Sequence, residues 1–524
     1  MHWQHIWEAF WIIFALGGSI FVHEFGHYWA AKHCGLWVPC FSIGFGPKLF
    51  AWHAKGTRFQ IALIPLGGYV ILPQMDGMET SEDAWVSPAE AVAKKVPTFW
   101  ERVGILSAGV GFNIFSAMLI ACLLWVIGIP AAKSDCTTIV GAIPQTIAYV
   151  DMPNPLAMSD LRIGDRILSV DGIVLQKFSQ LSQLIATGVR HTHNGQPSAD
   201  LQICRGNDVF HLEIPVFHPR KDGNNLRHIV VFPAGELLVK TILEGSPAQR
   251  AGLRAGDQIL AIDGNGLFSP AALDEYLQKS SAGVDLTVCR DGKILQVFIN
   301  PQPIIAQKAH MRGMRGEQPI VFVEGEGSRW LALNGSREIK NRRFSSDELA
   351  ANFTLLQRIP PVTKRALGVT FENPQILLHP NPFKLLLSEV RSAGHVLCSL
   401  LNRHSDVGVK HLMGIPGIGR LLHNFMRSDL RLALAFIVTL NLGIAVLNLL
   451  PIPGLDGGLI FFAIIEKIIR RKLPKWLINF SQSLCLFLIF LLLIYVCVSD
   501  ILHWRYDITR HNLDALYQEP RFSD

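Results

Sequence analysis

Four apolar runs, separated by polar stretches of very unequal length, organise this chain. The first, Trp7 to Val22, carries a single charged residue, Glu8; the second, Val103 to Pro130, the third, Leu432 to Leu455, and the fourth, Leu477 to Ser499, carry none. Each run, as a helix, is long enough to cross a hydrocarbon layer of roughly 30 Å. The pattern predicts a polytopic α-helical membrane protein with four transmembrane helices. Lys32, Lys48, Lys55, Arg58, Lys94 and Lys95 fall between the first and second runs, and Lys467, Arg470, Arg471, Lys472 and Lys475 between the third and fourth. Short basic loops stay on the cytoplasmic side. Both termini and the long stretch from about 131 to 430 are therefore expected outside. The N-terminus, Met1-His2-Trp3-Gln4, lacks a positive flank and no small-residue cleavage site follows the first run, so a cleaved signal peptide is not expected.

Between the runs the pattern changes. Within 34–101, Phe41-Ser42-Ile43-Gly44-Phe45-Gly46 and the stretch from Phe59 to Val70 read as short strands broken by glycines, a small cytoplasmic β-hairpin region. Their apolar character suits a sheet packed on the membrane helices, and equally an exposed strand edge able to pair with an extended peptide. The long outer stretch contains a repeat. Asn154 to Gly172 aligns without gaps to Ser246 to Gly264, nine of nineteen positions being identical, including Leu-Arg-x-Gly-Asp-x-Ile-Leu and a closing Asp-Gly. Two copies of one α+β domain are expected, over 134–222 and 223–305. Each resembles a PDZ domain of the bacterial protease type, which implies either a peptide-binding module or a non-binding spacer. The polar, basic segment 306–380 reads as a solvated loop or insert. Within 381–430, the spacing of Phe383, Leu386, Leu387, Val390, Ala393, Val396 and Leu397 predicts an amphipathic helix, lying on the membrane surface or packed on protein. The helices proper are placed at 1–33, 102–130, 431–458 and 477–499, with a cytoplasmic connector at 459–475 and an outer tail at 500–524.

Composition agrees. Hydrophobic residues make up 49% and charged residues 17%, and the mean hydropathy is +0.29. A net charge of +6 is too mild at this length to indicate nucleic-acid binding. The nine cysteines form no CxxC pair, so neither a cysteine zinc site nor a disulfide framework is indicated. His191 and His193 sit in a loop-like Arg-His-Thr-His-Asn-Gly stretch and read as surface residues.

The chemistry lies where the first run ends, in Phe21-Val22-His23-Glu24-Phe25-Gly26-His27. On a helix, His23 and His27 share a face one turn apart, the spacing with which two imidazoles bind one Zn²⁺, and Glu24 stands beside the metal as a general base. Ionisable groups next to a membrane-length apolar run are costly and usually functional. A zinc enzyme needs a third protein ligand and one open position. The candidate is Asp456, the carboxylate in Asn448-Leu449-Leu450-Pro451-Ile452-Pro453-Gly454-Leu455-Asp456-Gly457-Gly458. The topology puts it at the same cytoplasmic depth as His27, and the prolines and glycines break the helix there.

Taken together, the HExxH motif, the strands around Phe41–Gly46 and Ile64–Val70, the tandem repeats, His411 to Gly419 and Asn448 to Gly458 resemble the site-2 protease family of intramembrane zinc metalloproteases (peptidase M50 type), in its bacterial regulator-of-sigma-E form with tandem PDZ domains. The resemblance implies zinc held by His23, His27 and Asp456, activation of water by Glu24, and a role for Asn448 in holding the substrate strand or stabilising the oxyanion. It implies cleavage within single-span membrane proteins, such as anti-sigma factors, or within signal-peptide remnants, in the bacterial inner membrane. A membrane-anchored PDZ scaffold without activity, or a metal transporter, is the competing reading. Three departures concern substrate positioning: the spacing of Asn441 from Asn448, Leu459 after the Asp-Gly-Gly, and the absence of a proline after Gly109.

Overall fold

Residues 2–75, 95–147, 152–192, 194–218, 226–280, 282–307, 310–315, 318–324, 330–334, 337–344, 354–359, 362–403 and 405–514 are described by the computed structural model. Lys94 and His193 lie outside them; His191 is exposed. The chain divides into two units, residues 1–130, 377–398 and 412–498, and residues 131–376, 399–411 and 499–524.

The first unit is helical, with one small sheet. Helix α1 (His2–His33) leads into strands β1 (Cys40–Ala54) and β2 (Thr57–Val70), followed by α2 (Phe99–Ile127). The β1–β2 turn has positive φ at both Lys55 (48°) and Gly56 (72°), the two-residue hairpin geometry that suits strand twist. Residues Cys40 to Ile43 are sandwiched between two parts of β2: Phe41 pairs with both Phe59 and Val70, and Ile43 with both Ile61 and Gly68. Helix α2 starts with a capping box, Thr98 and Glu101 each accepting from the other's backbone N–H. Its crossing with α1 is close, because a Cβ on Gly26 would stand 2.5 Å from the Ala108 carbonyl oxygen. After α3 (Pro382–Leu401) and α4 (Ile415–Ser428) come α5 (Leu430–Leu449), α6 (Asp456–Ile469) and α7 (Lys475–Asp514). Leu386 of α3 is buried with Ala117, Ala121 and Leu124 of α2 and Val438 and Leu442 of α5, while Phe383, Leu387 and Val390 stay exposed. The amphipathic helix thus packs on protein through one face.

Among the described residues, Phe99–Ile127, Leu430–Leu449 and Lys475–Leu502 are long and apolar enough to cross a membrane. On the last of these, Leu486, Phe487, Leu488 and Phe490 face outward. A patch that size is a liability in water and ordinary against lipid. Several expected boundaries are corrected. The third apolar run, placed at 431–458, is no single helix: α5 stops at Leu449, because Pro451 and Pro453 supply no backbone N–H and cannot continue it. The expected connector over 459–475 is mostly the 14-residue helix α6. Helix α7 passes Ser499 and continues to Asp514.

In the second unit, the two repeat copies build sheets that share the order of their first three strands, with Ile173–Val174 in the first copy matched by Asn265–Gly266, which pairs with Gln258–Ile262 in the second. The first runs Asp208–Pro215, Ser198–Arg205, Arg166–Val170, Ile173–Val174; the second runs Lys293–Ile299, Val284–Arg290, Gln258–Ile262, Leu237–Ile242 and then Val369–Glu372. The strand Val369–Glu372 comes from beyond the insert, so the second sheet does not end at 305. The insert itself is not a solvated loop. It forms strands, including a five-stranded sheet in the order Arg337–Phe344, Trp330–Asn334, Gln318–Glu324, His310–Arg315, Thr354–Ile359. The short apolar run Ile320-Val321-Phe322-Val323 is hidden in the sequence by Arg312, Arg315 and Arg337, which dominate the local charge.

The repeated Gly-Asp turn is a structural clamp. Asp165 accepts two hydrogen bonds from Arg205, both 2.7 Å, and one from the backbone N–H of Arg162. Asp257 does the same with Arg290 and Arg254 in the second copy. The Arg290 guanidinium holds the Asp257 carboxyl below its ordinary value of 3.8. Its contribution to stability is therefore complete above that pH and is lost as pH falls below it through the lowered folded value. Asp257→Ala removes the carboxylate that joins Arg290 to the Arg254 backbone and is expected to destabilise the second sheet, read as a lower urea midpoint by pulse proteolysis of the solubilised protein.

Candidate metal centre

Helix α1 places His23 and His27 on one face, with exposures of 7% and 2%. Facing them is Asp456, 9% exposed, in the first turn of α6. Among the described residues these three form one cluster of potential metal ligands, their donor atoms all within 4.8 Å of one another. The Nε2 atoms of His23 and His27 lie 3.0 and 3.2 Å from Asp456 Oδ2 and 3.2 Å from each other. Four ligands around a tetrahedral ion at about 2.0–2.1 Å stand roughly 3.3 Å apart. The triangle therefore fits zinc. A second observation agrees: Asp456 Oδ2 is buried, close to two nitrogens, and has no hydrogen-bond partner. A buried carboxylate oxygen in that position requires a cation.

Local sequence explains how the triangle is held. His27 Nδ1 donates to the Ile105 carbonyl oxygen of α2 at 2.8 Å, which fixes the tautomer and leaves the Nε2 lone pair for a metal. His23 Nδ1 is 3.3 Å from the Asn113 amide. Asn113 is fully buried and its Oδ1 has no partner as oriented. With Oδ1 turned to face the ring, Asn113 would accept from His23 Nδ1–H, the orientation that leaves His23 Nε2 for a metal. Gly109 supplies the space: a Cβ there would stand 2.4 Å from His27 Nε2 and 2.7 Å from His23 Cε1. On the other side, Gly454 takes φ +97°, and Cβ atoms on Gly457 and Gly458 would collide with the Leu450 and Ile452 carbonyls at 2.3 and 2.2 Å. The Asp-Gly-Gly sequence thus lets α6 start directly against the 449–453 segment, its positive N-terminal end beside the Asp456 carboxylate.

Glu24 is half-buried beside the triangle. Gly68 of β2 lies against it, with no room for a side chain: a Cβ would be 2.8 Å from Glu24 Cγ and 2.9 Å from the Ser42 carbonyl oxygen. Asn448, on the last turn of α5, is half-buried and makes no side-chain hydrogen bond among the described residues. Asn441 ties α5 to α1, its amide donating to Ser19 Oγ (3.1 Å) and to the Ile437 carbonyl oxygen (2.9 Å). Every cysteine is a free thiol.

The structure brings together His23, His27 and Asp456, with Glu24 alongside. Sequence reasoning missed Asn113, Gly109, Ser19 and Asn441 as supports of the site. The available signal was an uncharged polar residue inside a membrane-length apolar run. Asn113→Ala is expected to weaken metal affinity 10–100-fold, the usual cost of losing an outer partner of a ligand histidine, measured by zinc competition with a chromophoric chelator; unchanged affinity would remove Asn113 from the site.

The sequence model of Peptidase family M50 matches residues 11–492. Among curated proteins, Protease RseP of Yersinia pestis is 26% identical, over 93% of this chain and 97% of its own length. The regulator of sigma E protease of Salmonella typhi is 25% identical over the same shares. A Vibrio cholerae protein named "Putative zinc metalloprotease" is 26% identical over 90% of this chain and 93% of its own.

Proposed function

The chain belongs to peptidase family M50, the membrane-embedded zinc metalloproteases of site-2 type, and from this premise we propose that it hydrolyses peptide bonds inside the transmembrane segments of single-span membrane proteins. The observation that carries the reading is the unpartnered Asp456 Oδ2 facing the two histidine Nε2 atoms. His23, His27 and Asp456 hold zinc, which when bound supplies a water of lowered pKa and polarises the scissile carbonyl. Glu24 takes the proton from the attacking water at its carboxylate and returns it to the leaving amine. Ile105 and Asn113 keep the imidazoles oriented. Asn448, half-buried and without a side-chain partner among the described residues, holds the substrate backbone or the developing oxyanion.

A transmembrane helix conceals its amides in its own hydrogen bonds, so the substrate must locally unwind before it can be cut. Pairing with a strand edge offsets part of that cost. The run from Ile64 to Val70, whose Gly68 rests on Glu24, lies where an extended substrate would need such an edge. The reading includes four spans with both termini outside the inner membrane, and two PDZ-like domains outside that control access. Substrates are single-span proteins such as anti-sigma factors already trimmed outside, or signal-peptide remnants. An inactive scaffold would have no use for Glu24 and an intact ligand triangle.

The test is cleavage of a single-span reporter by the purified full-length protein in proteoliposomes. Zinc-dependent cleavage within the span, abolished by a chelator and restored by zinc, is expected. Zinc binding without any cleavage across a panel of single-span reporters would favour the scaffold.

A further inference from the structure

A second site lies at the opposite end of α6 from Asp456. Where α2 begins, α6 ends and α7 is about to start, a cavity of about 300 Å³ is lined by five cationic side chains, Arg102, Lys467, Arg470, Arg471 and Lys472, and one carboxylate, Glu466. The carboxylate is already engaged: Glu466 Oε2 pairs with Arg102 Nη1 at 3.1 Å and Oε1 accepts from the Leu473 N–H at 3.0 Å. Glu101, nearby on α2, is taken by Lys95. Lys467 stacks its ammonium over Phe99 and Trp100, 3.9 and 4.5 Å from the ring centroids. Arg102 Nε is buried without a partner. Among the described residues, no carboxylate pairs with Arg470 or Arg471, so these two cations face the cavity without an anion.

Arg470 sharpens the point. It ends α6 in the left-handed conformation, φ 56° and ψ 25°. Helices usually place glycine there, because a Cβ is disfavoured in that conformation. A cation is held at a position where glycine would be more stable.

The surroundings identify the anion. Two membrane-length helices start here, one at Phe99, which lines the cavity, and one at Lys475, three residues after Lys472 of its wall. Trp100 and Trp476 project outward, 72% and 69% exposed, as interfacial tryptophans do. Ile468 and Ile469 are exposed beside the cations, at 75% and 55%. Charge at headgroup depth with apolar surface next to it matches a ligand that has a phosphate and acyl chains. We infer that this cavity binds the phosphate of an anionic phospholipid in the cytoplasmic leaflet. The ligand would bridge the ends of α2 and α6, the two helices that also carry Asn113 and Asp456. The inference rests on the membrane embedding of the chain and not on its proteolytic activity.

The experiment uses full-length protein in neutral detergent, titrated with phosphatidylglycerol or phosphatidylcholine and read by native mass spectrometry. Selective retention of phosphatidylglycerol is expected. The variant pair R470G/R471Q removes two cations, and the glycine suits the left-handed backbone. At roughly five-fold per cation near an anionic headgroup, the pair weakens retention about 30-fold. The control pair K48Q/K55Q, in the β1–β2 hairpin, leaves it unchanged. Equal loss in both pairs would mean diffuse charge attraction and overturn the site, as would equal retention of phosphatidylcholine. Displacement by millimolar inorganic phosphate would assign the cavity to a soluble anion and overturn the lipid. If R470G/R471Q fails to retain zinc or to stay monodisperse, R471Q alone decides: a five-fold loss supports the site and unchanged retention overturns it.

Discussion

Glu24→Gln is expected to keep its zinc and to lose about 10²–10⁴-fold in cleavage rate, the range a positioned general base contributes. The substitution is nearly isosteric, and Glu24 is not one of the three atoms that form the ligand triangle. The close approach of Gly68 to Glu24 Cγ is unaffected by exchanging one terminal oxygen for nitrogen. What disappears is the capacity to accept a proton. The two readouts must therefore separate: zinc content by elemental analysis stays at the wild-type level, while reporter cleavage in proteoliposomes collapses. Turnover close to wild type would show that another group acts as base. Loss of zinc as well would mean that Glu24 belongs to the ligand set, and the division of roles between Glu24 and Asp456 would have to be redrawn.

How much of this was legible in the sequence depends on the range over which each feature is determined. The i, i+4 spacing of His23 and His27 is a local property of a helix, so the motif reads directly as two ligands on one face. Asp456 was reachable because a carboxylate in an apolar run is rare and the topology set its depth. Asn113 and Gly109 were not. Their roles come from the crossing of α1 and α2, where Gly26 meets Ala108 and Gly109 makes room for two imidazoles, and nothing local records which residues a crossing brings together. The end of α5 at Leu449 was written in Pro451 and Pro453, yet hydropathy alone carried the expected span past them to 458. The same difficulty hid the strand Val369–Glu372, which completes the second repeat's sheet from beyond an insert. The clamp of Asp165 with Arg205, and of Asp257 with Arg290, follows the same rule: the repeat was visible as sequence, and its reason appears only when strands far apart in the chain lie side by side.

Asp456→Ala is expected to lose zinc together with activity, and the loss should exceed the 10–100-fold that removal of an outer partner causes, because only two protein ligands would remain. The structure also predicts what the variant should not lose. In the metal-free protein Asp456 Oδ2 stands 3.0 and 3.2 Å from the His23 and His27 Nε2 atoms, so deleting it also removes the acidic partner of those imidazoles, but the fold around the site should survive. The helix start it belongs to is fixed by Gly457 and Gly458 against the Leu450 and Ile452 carbonyls, contacts the substitution leaves alone. The metal-free variant should then stay folded and melt somewhat below metal-free wild type, for the lost contact with the imidazoles. Adding zinc should raise the wild-type midpoint, since a ligand present at 100 times its Kd stabilises by about 2.7 kcal/mol, and leave that of the variant where it was. Differential scanning of both proteins with and without zinc reads all four values. A variant whose midpoint still rises with zinc would move the third ligand elsewhere in the chain.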